Sequence, residues 1–155
     1  MGLFPLELVP KTVVSRVATV NERREPNCTP VWSVFDGRKI YFATDPGTQK
    51  LYNLKRNRNI AVAYDDYDKK NWKKVSGVMF RGTAKVLKGG DEYMHAYKLL
   101  QKKYPEYREE PWEEGEIPII AVTPKRIYRW GYRYDTRSRD YVEISQDGRF
   151  KPKQS

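Results

Sequence analysis

The chain has 155 residues, 39% hydrophobic and 14% aromatic, with twelve Tyr and four Trp, which suits one folded domain around a single core and excludes a disordered chain. Thirty Lys and Arg against twenty Asp and Glu leave a formal charge of +10, so the surface is either generally basic or shaped for an anionic partner. A single cysteine, Cys28, excludes an intrachain disulfide and any cysteine-based metal cluster; with no run of eighteen apolar residues and no signal-like start, a soluble cytoplasmic domain over 1–155 is expected.

SRVATVNE (15–22) holds Val17 and Val20 in a β-rich run and reads as a strand, and the polar residues after it read as a turn. TPVWSVF (29–35) is β-branched and aromatic. Asp36-Gly37 then closes a hairpin into KIYFAT (39–44), since Asp-Gly suits the left-handed positions of a tight turn. TDPGTQK (44–50) turns into a short helix with Thr48 as N-cap, and the strand NIAVAYDDY (59–67) follows. DKKNWKK (68–74) is a turn, and VSGVMFRGTAKVL (75–87) is a long strand. Gly89, Gly90 and Asp91 open a second helix, in which Tyr93, Met94, Tyr97, Leu100 and Gln101 keep helical spacing until Pro105 ends it. The acidic PEYREEPWEEGE (105–116) reads as a solvated loop docked by Trp112, and IPIIAVTPKRIYRWGY (117–132) as two strands around Thr123-Pro124. GRFKPKQS (148–155) reads as a frayed basic tail. Six or seven strands joined mostly as hairpins, with two or three short helices, predict a mainly β fold, an antiparallel barrel with helical decoration.

Several chemistries lack their residues. No Walker or dinucleotide glycine motif and no zinc-protease motif is present, so no metal site is expected. Cys28 reads as a small thiol and His95, the single histidine, as an ordinary helical imidazole; nothing in the sequence brings them together. A reaction here would need a cofactor to carry it. Lys50 raises the one local question. Lys55, Arg56 and Arg58 sit at or past the C-terminal end of their helix, where the dipole is negative. Lys50 sits in the first turn, where a cation is unfavourable by about 0.3–1 kcal/mol. Either it points into water, or it joins Gly47, the Thr44 and Thr48 hydroxyls and the free N–H groups of the helix start in an anion site.

From about residue 15 to 132 the chain resembles the pyridoxamine 5′-phosphate oxidase-like, split-barrel flavin-binding superfamily. The resemblance rests on the ordered segments SRVATVNERREPNCTPVWSVFDGRKIYFATDPGTQKLYNLKRNRNIAVAYDD, GVMFRGTAKVL and PKRIYRW. It implies an antiparallel split barrel that binds flavin mononucleotide (FMN) at a homodimer interface. By that resemblance Lys50 contacts the cofactor phosphate, with Thr48 and Gln49 in the same turn and Gln49 standing where many members have Arg. Thr44 would line the ribityl-phosphate end, and Pro30, Val31, Trp32 and Ser33 would run along the isoalloxazine ring. Trp130 matches a late-strand Trp that approaches the cofactor from the other subunit. The oxidase branch carries basic residues where this chain has Cys28 and Ser33, and Gln where it has Gly77. True pyridoxamine phosphate oxidation is therefore not implied, and the PVW (30–32) and NL (53–54) surroundings resemble the branch using FMN or the deazaflavin F420.

Three functional readings follow. The first is an FMN- or F420-dependent oxidoreductase acting on a small molecule, with no acid or base residue assigned. The second is a non-catalytic flavin- or haem-binding protein on the same fold. The third, carrying least weight, is a basic nucleic-acid-binding barrel using Lys55, Arg56, Arg58, Lys69, Lys70, Trp72, Lys73 and Lys74.

Overall fold

The computed structural model describes residues 8–131, 141–144 and 150–152. Its strands are β1 (Val14–Val20), β2 (Pro26–Phe35), β3 (Ile40–Ala43), β4 (Asn59–Asp66), β5 (Ser76–Leu87), β6 (Ile119–Gly131), β7 (Tyr141–Ile144) and β8 (Phe150–Pro152). They form one antiparallel sheet in the order β3-β2-β1-β4-β5-β6-β7-β8. Because β3 also pairs with β6, with Ile40 opposite Val122 and Ala43 opposite Ile119, β1 to β6 close into a six-stranded barrel. Among the described residues four α-helices decorate it, α1 (Leu8–Lys11), α2 (Gln49–Arg56), α3 (Asp91–Lys103) and α4 (Glu106–Glu109), with a single 3-10 turn at Trp72–Lys74. The mainly β barrel expected from the sequence is the observed architecture.

Strand alternation builds two cores. On β3, Ile40 and Phe42 enter the barrel with Val17, Val62, Phe80 and Ile127, while Tyr41 turns outward. The outward residues Val34, Tyr41, Ile119 and Ala121 meet the apolar stripe of α3, where Tyr93, Ala96, Tyr97 and Leu100 recur at helical spacing. Each such large side chain, fully buried, stabilises the fold by about 1.5–3 kcal/mol. Inside the barrel, the Ser33 hydroxyl lies 2.8 Å from both the Ser15 hydroxyl and the Tyr64 hydroxyl, so the buried polar groups satisfy one another.

Three expectations are corrected. Residues 119–131 form one strand, not two around Thr123-Pro124. The register slips between Arg81 and Gly82 on β5, so a bulge absorbs the missing N–H of Pro124. Glycine is required there, since a Cβ on Gly82 would stand 2.0 Å from the Thr123 carbonyl oxygen. Residues 105–116 are not simply a solvated loop: they include α4, and Tyr107 and Trp112 pack against the α3 core. Residues 150–152, read as part of a frayed tail, pair with β7 as β8. The rest of 148–155 lies outside the described residues, as does 132–140. Among the described residues no helix is long and apolar enough to cross a membrane.

Candidate functional site

β2 supplies the floor of the site. Its inward residues Val31 and Ser33 belong to the barrel interior, which leaves Pro30 and Trp32 on the outer face. Trp32 is held flat by Tyr104, the residue after α3, with ring centroids 5.2 Å apart and planes within 8°. Tyr104 also ties the strand down. Its hydroxyl accepts the Ser33 N–H at 2.9 Å and lies 2.8 Å from the Ser33 carbonyl and 2.7 Å from that of Val13. Lys103 adds a second tie, donating to the Thr12 and Ser33 carbonyls at 2.9 and 2.8 Å. Burial pushes the Lys103 ammonium down to about 8, and burial likewise pushes the Tyr104 phenol up.

A cleft of about 480 Å³ opens over this floor. Pro30, Val31 and Trp32 line one side, and Ala43, Thr44 and Asp45 continue from the end of β3. Thr48 and Lys50 contribute the start of α2, and Tyr107, Trp112 and Ile117 form the far wall. Sequence reasoning pointed to Pro30, Val31, Trp32, Thr44, Thr48 and Lys50, and the fold brings these together in one cleft. It does not bring the others. Ser33 is 1% exposed and turned into the barrel, and its backbone N–H and C=O are taken by Tyr104 and Lys103. Gln49 is exposed on α2 and bonds Asn53 at 2.8 Å, which in turn reaches Thr19.

The helix start is arranged differently from an ordinary N-cap. The Thr48 hydroxyl bonds the Thr44 hydroxyl at 2.8 Å and caps no backbone N–H of α2. First-turn N–H groups therefore remain without a side-chain cap, beside the half-buried Lys50, and whichever hydroxyl accepts in the Thr44–Thr48 bond keeps its own O–H for an acceptor. This donor set suits a phosphate. Asp45 lines the same region and works against an anion near it; its carboxylate, after burial and together with Glu106, helps to push the Tyr107 phenol up. Lys55 and Arg56 occupy the last turn, where the dipole favours them, and Arg56 is spent on the Tyr52 ring and Glu22.

Haem is fitted less well. The cleft lining holds no His, Cys or Met, and His95 instead bonds Asp36 at 2.9 Å beside the β2–β3 turn. Tyr107 is the one phenol in the lining, and its upward shift disfavours the phenolate that would bind iron. Cys28 is exposed on β2, outside the cleft. Among the described residues no group of three or more His, Cys, Asp or Glu could hold a metal ion.

The family model described as pyridoxamine 5′-phosphate oxidase matches residues 6–131. The chain belongs to that family. Solved structures share the fold at low identity. A conserved hypothetical protein from Mycobacterium tuberculosis is 20% identical over 82% of both chains, with a TM-score of 0.68. HutZ, the heme storage protein from Vibrio cholerae, is 14% identical over 84% of this chain and 95% of its own, with a TM-score of 0.69. A heme binding protein from Mycobacterium smegmatis is 15% identical over 82% of this chain and 52% of its own, with a TM-score of 0.71. A search of curated proteins finds no match.

Membership of the family draws attention to Trp130, which lies apart from the cleft lining. It sits opposite Gly77 across β5 and β6, and its indole covers that glycine so closely that a Cβ there would stand 2.0 Å from the ring. The indole is 39% exposed, one of the few large apolar side chains left at the surface. The sequence did not indicate Tyr104, Lys103, Tyr107 or Asp45. Their roles arise from long-range contacts that no local motif encodes.

Proposed function

We propose that the cleft binds FMN and that the protein is a flavin-binding member of its family. The observation that carries this reading is the pairing of an uncapped α2 start, Lys50 and two Thr hydroxyls with an aromatic floor at Trp32. Lys50, Thr44 and Thr48 would hold the phosphate, and Pro30 to Trp32 would lie along the ring. FMN supplies two-electron transfer through its central ring. The chain's part is to orient that ring on a strand fixed by Tyr104 and Lys103 and to screen it from water with Tyr107 and Trp112. F420 shares a tricyclic head and a phosphate and would use the same donors. Homodimerisation belongs to the proposal, with Trp130 reaching the partner's site and exposed Val13 lying beside the cleft residue Val14.

Haem binding is the second reading, supported by the two neighbours named for haem. The donor set described above favours FMN over it. The nucleic-acid reading loses ground because Lys69, Lys70, Lys73 and Lys74 share their hairpin with Asp65, Asp66 and Asp68. The test is titration of the cofactor-stripped protein with FMN, F420 and haem. Tightest binding of FMN, reduced by Lys50→Ala, supports the proposal; haem bound with FMN excluded contradicts it.

A further inference from the structure

The far wall of the cleft differs from the rest of the molecule in charge. Residues 105–116 carry six Glu and one Arg, a formal −5 within a chain of +10. The one cation is turned away, since Arg108 donates to the terminal carbonyls of α3 at Gln101 and Lys102. Among the described residues no ion pair engages any of the six glutamates. Glu114 and Glu116 accept backbone N–H groups, while Glu106, Glu109, Glu110 and Glu113 stay exposed.

The same segment brings two aromatic rings to the cleft, and with Trp32 they stand as walls rather than as a stack. Tyr107 meets Trp112 at 84° with centroids 4.9 Å apart, and meets Trp32 at 56° and 5.4 Å. Trp112 is locked by its own bonds: its indole N–H donates to the Tyr93 hydroxyl at 2.8 Å and its backbone N–H to the Tyr97 hydroxyl at 2.9 Å. Asp45 lines the cleft beside this box. Aromatic faces set at steep angles, with carboxylates nearby, are the surroundings that favour an organic cation.

We propose that the Trp32–Tyr107–Trp112 box, with Asp45 in the same lining and six glutamates on the segment that carries two of its rings, selects an organic cation, a quaternised or protonated nitrogen compound, as the small-molecule ligand of this cleft. This deepens the FMN reading by naming the class of molecule that would meet the flavin. The local field opposes the global one: a net charge of +10 would draw anions to an arbitrary surface site. A cation preference is therefore diagnostic of this mouth.

The test uses two planar probes of similar shape and opposite charge, N-methylphenazinium and phenazine-1-carboxylate. Binding is measured by calorimetry at low salt, on the FMN-loaded chain and on the chain without FMN. The proposal expects the cation to bind about tenfold or more tighter, with the margin shrinking as salt shortens the Debye length. Glu106→Gln/Glu109→Gln/Glu110→Gln, all exposed positions, should remove most of that margin. The control Glu25→Gln/Asp66→Asn/Asp91→Asn, with the same change in total charge at other exposed positions, should keep it. Tyr107→Leu should weaken the cation about fivefold or more and spare the anion. Equal affinities, a preference for the anion, or a margin lost equally in both triple variants would overturn the proposal. If FMN does not bind at all, the FMN reading fails, and the probe preference of the chain alone still decides the cation claim.

Discussion

Lys50→Ala separates a cofactor clamp from a surface lysine. In the absence of ligand, Lys50 stands at the positive end of α2, so removing it relieves about 0.3–1 kcal/mol of unfavourable dipole interaction. Lys55→Ala does the reverse, because Lys55 sits in the last turn, where its charge is welcome, and costs a similar amount. With a phosphate bound the order changes. A charge-assisted hydrogen bond from the half-buried Lys50 is worth about 1.5–3 kcal/mol, or about 10- to 150-fold in Kd. Lys55 is exposed at the other end of the helix and should leave Kd nearly unchanged. The assay is quenching of flavin fluorescence on titration into cofactor-stripped protein, repeated with riboflavin, which lacks the phosphate. Lys50→Ala should weaken FMN and leave riboflavin within about twofold. Equal FMN affinity in the two variants, or equal loss of FMN and riboflavin, would refute the phosphate assignment.

Other expectations concern the frame that holds the site. Gly82→Ala should destabilise the fold by about 2–3 kcal/mol or more in urea unfolding, because its Cβ would meet a backbone oxygen that cannot swing aside. Tyr64 is pushed up to about 12 by burial, above its unfolded value near 10, so the unfolded chain binds fewer protons between these pH values. Stability is then complete below pH 10 and falls by about 2–3 kcal/mol as pH rises to 12, a slope that Tyr64→Phe should reduce. Lys103 has the opposite sign. Its folded value of about 8 lies below its unfolded value, so its contribution improves as pH rises from about 8 to 10.5, and Lys103→Met should flatten that rise. Thr48→Val should weaken FMN about fivefold to tenfold while leaving the melting temperature close to that of the parent, since its hydroxyl caps no N–H of α2.

What could be read from the sequence was local. Asp36-Gly37 marked a turn because few other pairs tolerate it, and Gly37 does adopt φ 93°. Thr48 marked the start of α2, and the Tyr93–Leu100 stripe marked the buried face of α3, because periodicity records which side of an element meets the core. Pro124 misled for a physical reason: it removes one ladder donor, which reads as a break, whereas a bulge opposite Gly82 lets the strand continue. The acidic composition of 105–116 signalled a solvated loop docked by Trp112, and Trp112 does anchor it through bonds to Tyr93 and Tyr97; the short helix α4 and the packing of Tyr107 against Trp112 left no such signal. On the phosphate side, Lys50 was noticeable because its charge contradicts its position. On the ring side, Tyr104 and Lys103 act through carbonyls of Val13, Thr12 and Ser33, up to 91 residues away in sequence. Such contacts leave no trace in local pattern. Ser33 was misplaced relative to the cleft for a related reason: alternation puts it on the barrel side of β2, one residue from Trp32.

The most direct measurement is the visible absorption spectrum of the freshly purified protein, followed by mass spectrometry of whatever heat releases from it. The account predicts the two-band spectrum of an oxidised flavin and a released molecule with the mass of FMN. A Soret band with released haem, or a colourless protein that FMN fails to reconstitute, would contradict it.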